Sequence, residues 1–161
     1  GAHALGEYPG SDKVKYNESI FVGYRWHDKE QLKPLFAFGH GLSYTAFAVG
    51  NVKADRTTLA PNGSIRISAD VTNTGDRAGA EVVQLYIGDE QSSLPRPVKE
   101  LKGFERVFLK SGESRDVKFV ITEDDLKFYN SELHYVYEPG EFDVMVGPNS
   151  RDVQTKSFQA K

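Results

Sequence analysis

Cysteine is absent from this 161-residue chain, which excludes disulfides, thiolate metal sites and a cysteine nucleophile while leaving the compartment open. No apolar run approaches the roughly 18 residues that a membrane-crossing helix requires, and no charged-then-apolar leader is visible. Lys and Arg do not cluster, and the formal net charge is −3 at pH 7. Neither nucleic acid nor an anionic membrane therefore finds an electrostatic footprint here. Histidine is scarce as well: His3, His27, His40 and His134 form no HxH or HxxxH pair, so a zinc site has no support. No metal or other cofactor is expected. Two sequons, Asn17-Glu18-Ser19 and Asn62-Gly63-Ser64, are short enough to arise by chance.

What is present is alternation. In SIRISADVTN, residues Ile65, Ile67, Ala69 and Val71 share one face, and Arg66, Ser68 and Asp70 the other. EVVQLYI places Val83, Leu85 and Ile87 on one side, with Val82 and Tyr86 opposite; RDVKFVI offers Val117, Phe119 and Ile121; EFDVMVG offers Phe142, Val144 and Val146. A period of two over such lengths marks strands with one buried face. The intervening APNG, NTGDRAG, KSGES, EPGE and GPNS all carry Gly, and most carry Pro, Asn or Asp, the residues of turns. TEDDLKFY reads as a short helical turn capped by Thr122, with three acids at its positive end. A calcium loop is the poorer reading, because its glycine and distal glutamate are lacking. With helical periodicity absent elsewhere, the expectation over residues 47–161 is an all-β fold, an antiparallel sandwich of about seven strands of fibronectin type III or immunoglobulin type.

Residues 1–46 are different. They hold eight aromatics (Tyr8, Tyr16, Phe21, Tyr24, Trp26, Phe36, Phe38 and Tyr44) against eleven in the longer remainder, with no sustained period. A free linker would be polar and rich in Gly, Ser or Pro. This composition indicates an irregular strap shaped to lie on other surfaces, some of them outside this chain. IFVGYRW reads as one short strand. FGHGLSYTAF sets a histidine beside Ser43 and Tyr44, yet no nucleophile elbow surrounds the serine. Gly39 and Gly41 then bend the chain, with His40 bonding to backbone, and the stretch reads as a joint into a strand starting at Phe47.

Three further stretches, VTNTGDRAGAEVVQLYI, RPVKELKGFERVFLKSGES and EPGEFDVMVGPNSRDV, occur in order. Together they closely resemble the carboxy-terminal fibronectin type III-like domain of family 3 glycoside hydrolases, the β-glucosidases and β-xylosidases. YNESIFVGYRWHD and PLFAFGHGLSYTAF resemble the segment leading into that domain. Their architectural roles can be stated physically. Asn73 to Asp76 turn the chain with side-chain-to-backbone bonds, Pro95 and Pro97 suit an edge or a crossing between sheets, and Gly103 marks a bulge bringing Leu101 and Phe104 to the core.

The resemblance implies a retaining parent enzyme whose nucleophile, an Asp, and acid/base, usually a Glu, sit on earlier domains. No Asp or Glu here matches either position, so no catalytic residue is transferred and the chain alone is not expected to be an enzyme. The expected role is a non-catalytic accessory domain on a glycoside hydrolase acting on β-linked glucosides or xylosides. Its partners would be the catalytic domains of the same polypeptide and, through them, the oligosaccharide or glycoside substrate. Phe21, Tyr24, Arg25, Trp26, Phe36, Phe38 and His40 are the expected interdomain contacts, with Arg25 ion-paired across the interface, since aromatics and Arg anchor interfaces. The rival reading is a carbohydrate-binding or adhesion sandwich, for which Tyr135 and Tyr137 would form a small stacking platform on one face. Sugar specificity, oligomeric state and compartment, whether periplasmic, secreted or cytoplasmic, have no signal in these residues.

Overall fold

The computed structural model describes residues 19–89 and 91–161. His3, Tyr8 and Tyr16, together with Asn17 and Glu18 of the first sequon, lie outside the described residues. In chain order the elements are α1 (Tyr24–Lys29), β1 (Phe47–Ala54), β2 (Thr58–Leu59), β3 (Ser64–Asn73), β4 (Gly79–Asp89), β5 (Glu100–Leu109) and β6 (Ser114–Thr122). They continue with α2 (Glu123–Leu126), β7 (Phe128–Tyr129), β8 (Tyr135–Val136), β9 (Gly140–Gly147) and β10 (Gln154–Ala160). One sheet runs β1-β3-β6 and faces a second running β2-β10-β9-β4-β5; β7 and β8 form a small separate ribbon. The all-β expectation holds. The long strands pair antiparallel, but β2 joins β10 in parallel through Gln159↔Thr58 and Ala160↔Leu59. There the chain leaves the first sheet after β1, caps the edge of the second, and returns for β3. Covering an open edge in this way blocks strand addition by another chain.

The core follows the alternation. Ile65, Ile67, Ala69 and Val71 of β3 are buried, whereas Arg66 and Asp70 between them face solvent. They meet Val83, Leu85 and Ile87 of β4, Val117 and Ile121 of β6, and Phe142, Val144 and Val146 of β9. Phe142 stacks on Phe158 of β10 at 5.8 Å between ring centres. Each such side chain contributes about 1.5–3 kcal/mol through removal from water. TEDDLKFY forms its turn as expected: Asp125 accepts from the Thr122 amide at 2.8 Å, and Leu126 drops into the core.

Asn73 is fully buried, and its side chain ties together the turn end of the sandwich. Its Oδ1 accepts from Thr45 Oγ1 (2.8 Å) and Gly75 N (3.1 Å), and its Nδ2 donates to the carbonyls of Arg77 (2.7 Å) and Leu109 (3.1 Å). A buried amide is tolerated because every one of its hydrogen-bonding positions is filled.

Four local readings need correction. IFVGYRW is not a strand: it turns at Gly23 and enters α1, where His27 Nδ1–H donates to the Gly23 carbonyl at 2.9 Å. Packing of that segment overrides the β-propensity of its residues. Gly103 does sit at a bulge, since β4 and β5 shift register between Leu85↔Gly103 and Tyr86↔Leu101. The extra residue is absorbed at Lys102, however, and Phe104 is turned outward, 70% exposed. Pro95 and Pro97 lie in the connection from β4 into β5, the edge strand of that sheet, so of the two expected places the edge holds and the crossing between sheets does not. Tyr135 and Tyr137 do not make a platform: Tyr137 packs on the core and donates to the Lys161 carbonyl, because β8 ends at Val136 before it.

Candidate interdomain interface

The alternation in β4 predicts one buried face, yet Gln84, Tyr86 and Gly88 on its other face are buried too. Segment 19–46 covers Gln84 and Tyr86, whereas Gly88 lies against Val98 and Met145. Tyr24 of α1 meets Tyr86 edge-on at 6.2 Å between centres, and Phe38 stacks on Tyr24 at 4.5 Å. The backbone amide of Leu101 in β5 donates to the Tyr24 hydroxyl (3.1 Å), and the Ser150 amide donates to the Phe38 carbonyl (2.8 Å). Aromatic pairs of this geometry add about 0.5–1.5 kcal/mol beyond the area they bury.

Gln84 is the joint of this arrangement. Its Nε2 donates to the carbonyls of Gly39 (3.2 Å) and Pro148 (2.9 Å), while its Oε1 accepts from the Tyr86 hydroxyl. Gly39 adopts φ +78°, and a Cβ at this position would overlap the Gln84 amide. Glycine is therefore required twice over, for its backbone conformation and for close approach. Burial pushes the Tyr86 hydroxyl well above the ordinary phenol range, with Tyr24 and the Asp28 carboxylate adding to the effect.

Charged groups fix the flank. Arg25 Nη2 lies 3.2 Å from Glu100 Oε1, and Lys99 Nζ lies 3.6 Å from Asp28 Oδ2, an ion pair too long for a hydrogen bond.

Each residue singled out from the sequence can now be placed. Phe21 is buried, with the Lys29 ammonium 4.0 Å above its ring. Tyr24 and Arg25 point inward to Tyr86 and Glu100, so the ion pair of Arg25 is made within the chain. Trp26 is half-buried. Phe36 is 62% exposed and stacks on His40 at 5.1 Å, and Phe38 is 44% exposed. The His40 amide donates to the Ala37 carbonyl at 3.0 Å, closing the turn that carries Gly39. Beyond them Leu35, Leu42 and Tyr44 are 88%, 94% and 95% exposed. The receiving side chains Gln84 and Tyr86 were not singled out. The one signal available was Val82 and Tyr86 on the supposedly outer face of EVVQLYI, a strand apolar on both sides.

Among the described residues no cluster of three or more His, Cys, Asp or Glu could hold a metal ion, and no helix is long and apolar enough to cross a membrane.

The two facing sheets, with their turn-end asparagine and β4–β5 bulge, define a fibronectin type III-like sandwich, and residues 81–150 match the family model of the fibronectin type III-like domain. The chain is 45% identical over 151 residues to thermostable β-glucosidase B of Acetivibrio thermocellus, covering 92% of this chain and 20% of that protein. It is 45% identical over 163 residues to the β-glucosidase BoGH3A of Bacteroides ovatus, covering 98% and 22%. Among solved structures, the GH3 β-glucosidase of Bifidobacterium adolescentis superposes with a TM-score of 0.86 at 36% identity, covering 96% of this chain and 23% of that one. The chain thus spans only 20% and 22% of the curated relatives' lengths. It belongs to the fibronectin type III-like domains of family 3 glycoside hydrolases.

Proposed function

We propose that this chain is a non-catalytic accessory unit that docks on and steadies the catalytic domains of a β-glucosidase- or β-xylosidase-like enzyme. In this reading residues 1–46 are the interdomain strap and residues 47–161 the sandwich. Phe21, Tyr24, Arg25, Trp26, Phe36, Phe38 and His40 form the interdomain region, the first three holding the strap in place and the others facing the neighbour. The partner is the remainder of the same polypeptide, and the oligosaccharide or glycoside is bound and cleaved there.

One observation carries this reading. The inner side of the strap is bonded firmly to β4 and β5, while its outer side presents Leu35, Phe36, Leu42 and Tyr44 to solvent. Apolar side chains held on an ordered backbone and left uncovered mark a protein interface. The small share of the relatives' length that the chain spans supplies the occupant.

The test mixes the purified chain with the upstream catalytic portion of the same polypeptide. Saturable association is expected, weakened at least about tenfold by Leu42→Ser with Tyr44→Ser. The chain alone should not release nitrophenol from 4-nitrophenyl β-glucoside. Absence of association, or turnover by the chain alone, overturns the proposal.

A further inference from the structure

A groove of about 540 Å³ lies beside the strap, between Phe21 and Arg25, the Leu94–Pro97 loop, and the β7–β8 ribbon. Its volume is that of a small-ligand site, and its make-up, apolar walls with a few convergent polar groups, is that of one as well. Tyr129 and Tyr135 stand at the rim, 66% and 51% exposed, their rings 5.0 Å apart and inclined at 41°. β7 and β8 pair them directly across the ribbon, Tyr129↔Tyr135, so their spacing is set by backbone hydrogen bonding.

The charges decide the ligand class. Every cation in the lining is already paired within the chain: Arg25 with Glu100 at 3.2 Å, Arg96 with Asp89 at 2.8 Å, and Lys127 with Asp124 at 2.6 Å. Arg96 also lies over the Phe128 ring at 4.7 Å. An anionic ligand would have to displace one of these partners. The guanidinium and carboxylate edges that remain are planar, positioned donors and acceptors, suited to neutral hydroxyl groups. A pyranose joins such hydroxyls to apolar C–H faces, and two inclined tyrosine rings offer those faces a cupped seat.

We infer that this groove is a binding subsite for a short neutral saccharide, with Tyr129 and Tyr135 as the stacking pair and Arg25 and Glu100 as hydroxyl partners. The preference for a β-linked glucan rests on the function proposed above. A β-1,4 chain is extended and flat, and so lies along a rim better than a bent α-linked one.

The probe is cellotriose, titrated into the 161-residue chain and followed by amide chemical shifts. Saturable shifts confined to the amides of Arg25, Leu94, Arg96, Glu100, Lys127, Phe128, Tyr129, Tyr135 and Val136 are expected, with a dissociation constant on the order of 1 mM. Tyr129→Ala and Tyr135→Ala should each weaken binding at least about tenfold while the rest of the spectrum stays folded. Leu42→Ser with Tyr44→Ser should leave it unchanged. Absence of saturable shifts up to about 50 mM sugar, or saturation indifferent to both tyrosine substitutions, overturns the inference. The docking proposal is read separately, by association with the catalytic portion, so either can fail while the other stands.

Discussion

Residues 19–46 and residues 47–161 are held in place by different physics. The sandwich is cemented by alternating apolar side chains, and the largest of them, Tyr86 apart, gather in one buried cluster. The strap buries little of its own; among its hydrophobic residues only Phe21 and Ala37 are buried, and its position comes from ring stacking and a handful of hydrogen bonds to β4, β5 and the β9–β10 turn. Removal of apolar surface from water is non-directional and stabilises a body whose exact contacts can vary. Hydrogen bonds and ring contacts are directional and set where a segment sits. The sandwich therefore carries the stability of the chain, and the strap carries orientation.

The strongest challenge to that contrast is Phe142→Ala. Loss of a fully buried ring stacked on Phe158 should cost about 3–5 kcal/mol, unfolding strap and sandwich together in a urea titration. Loss of the strap alone would contradict the contrast.

Gly39→Ala should do the reverse. A Cβ at φ +78° overlapping the Gln84 amide costs about 1–3 kcal/mol locally. Amide exchange should then accelerate around Phe38 and His40, with β3 and β6 still protected. Equal acceleration in both regions would show that the two are one cooperative unit.

A smaller effect is expected of Tyr86→Phe, which leaves the Gln84 carbonyl without its donor and costs about 1 kcal/mol. This variant also isolates a pH response. The Tyr86 hydroxyl holds its proton more tightly in the folded chain than its ordinary value of 10.0, so on alkalisation the unfolded chain ionises first. Its contribution is complete below pH 10 and shrinks as pH climbs beyond it. Between about pH 8 and pH 11 the parent chain should lose more stability than Tyr86→Phe does; identical losses would refute the assignment.

Least of all should Leu42→Ser with Tyr44→Ser affect the chain by itself, within about 0.5 kcal/mol in thermal unfolding. Their exposure of 94% and 95% leaves little inside the chain to lose. A larger drop would mean that the outer face of the strap already has a partner within these residues.

The sandwich was legible in the sequence because its forces are periodic. Ile65 to Val71 announce a buried face with no knowledge of their neighbours, and Asn73 announces a turn through its side-chain chemistry. Phe104 misled because the extra residue falls at Lys102, next to the Gly103 that marks the bulge, and the register beyond it turns Phe104 to the outer side of β5. The strap was legible only as aromatic and non-periodic. Its helix at Tyr24 exists because of Tyr86, 62 residues further on, and Gln84 reads as an outward polar residue until Gly39, 45 positions earlier, comes to lie on it. Pairings at that range leave no local pattern. The groove rim was half legible: Tyr135 was noticed, but its companion is Tyr129, reached across a ribbon of two-residue strands.

Gln84 lies in β4, an inner strand of the five-stranded sheet, and its amide grips the strap while its neighbours β5 and the β9–β10 turn take separate holds through Leu101 and Ser150. A pull applied at Ser19 would therefore be spread over several strands at once, without peeling a single edge strand away. In mechanical terms residues 19–46 are a broad bracket rather than a hinge, so they would turn with the sandwich as one body.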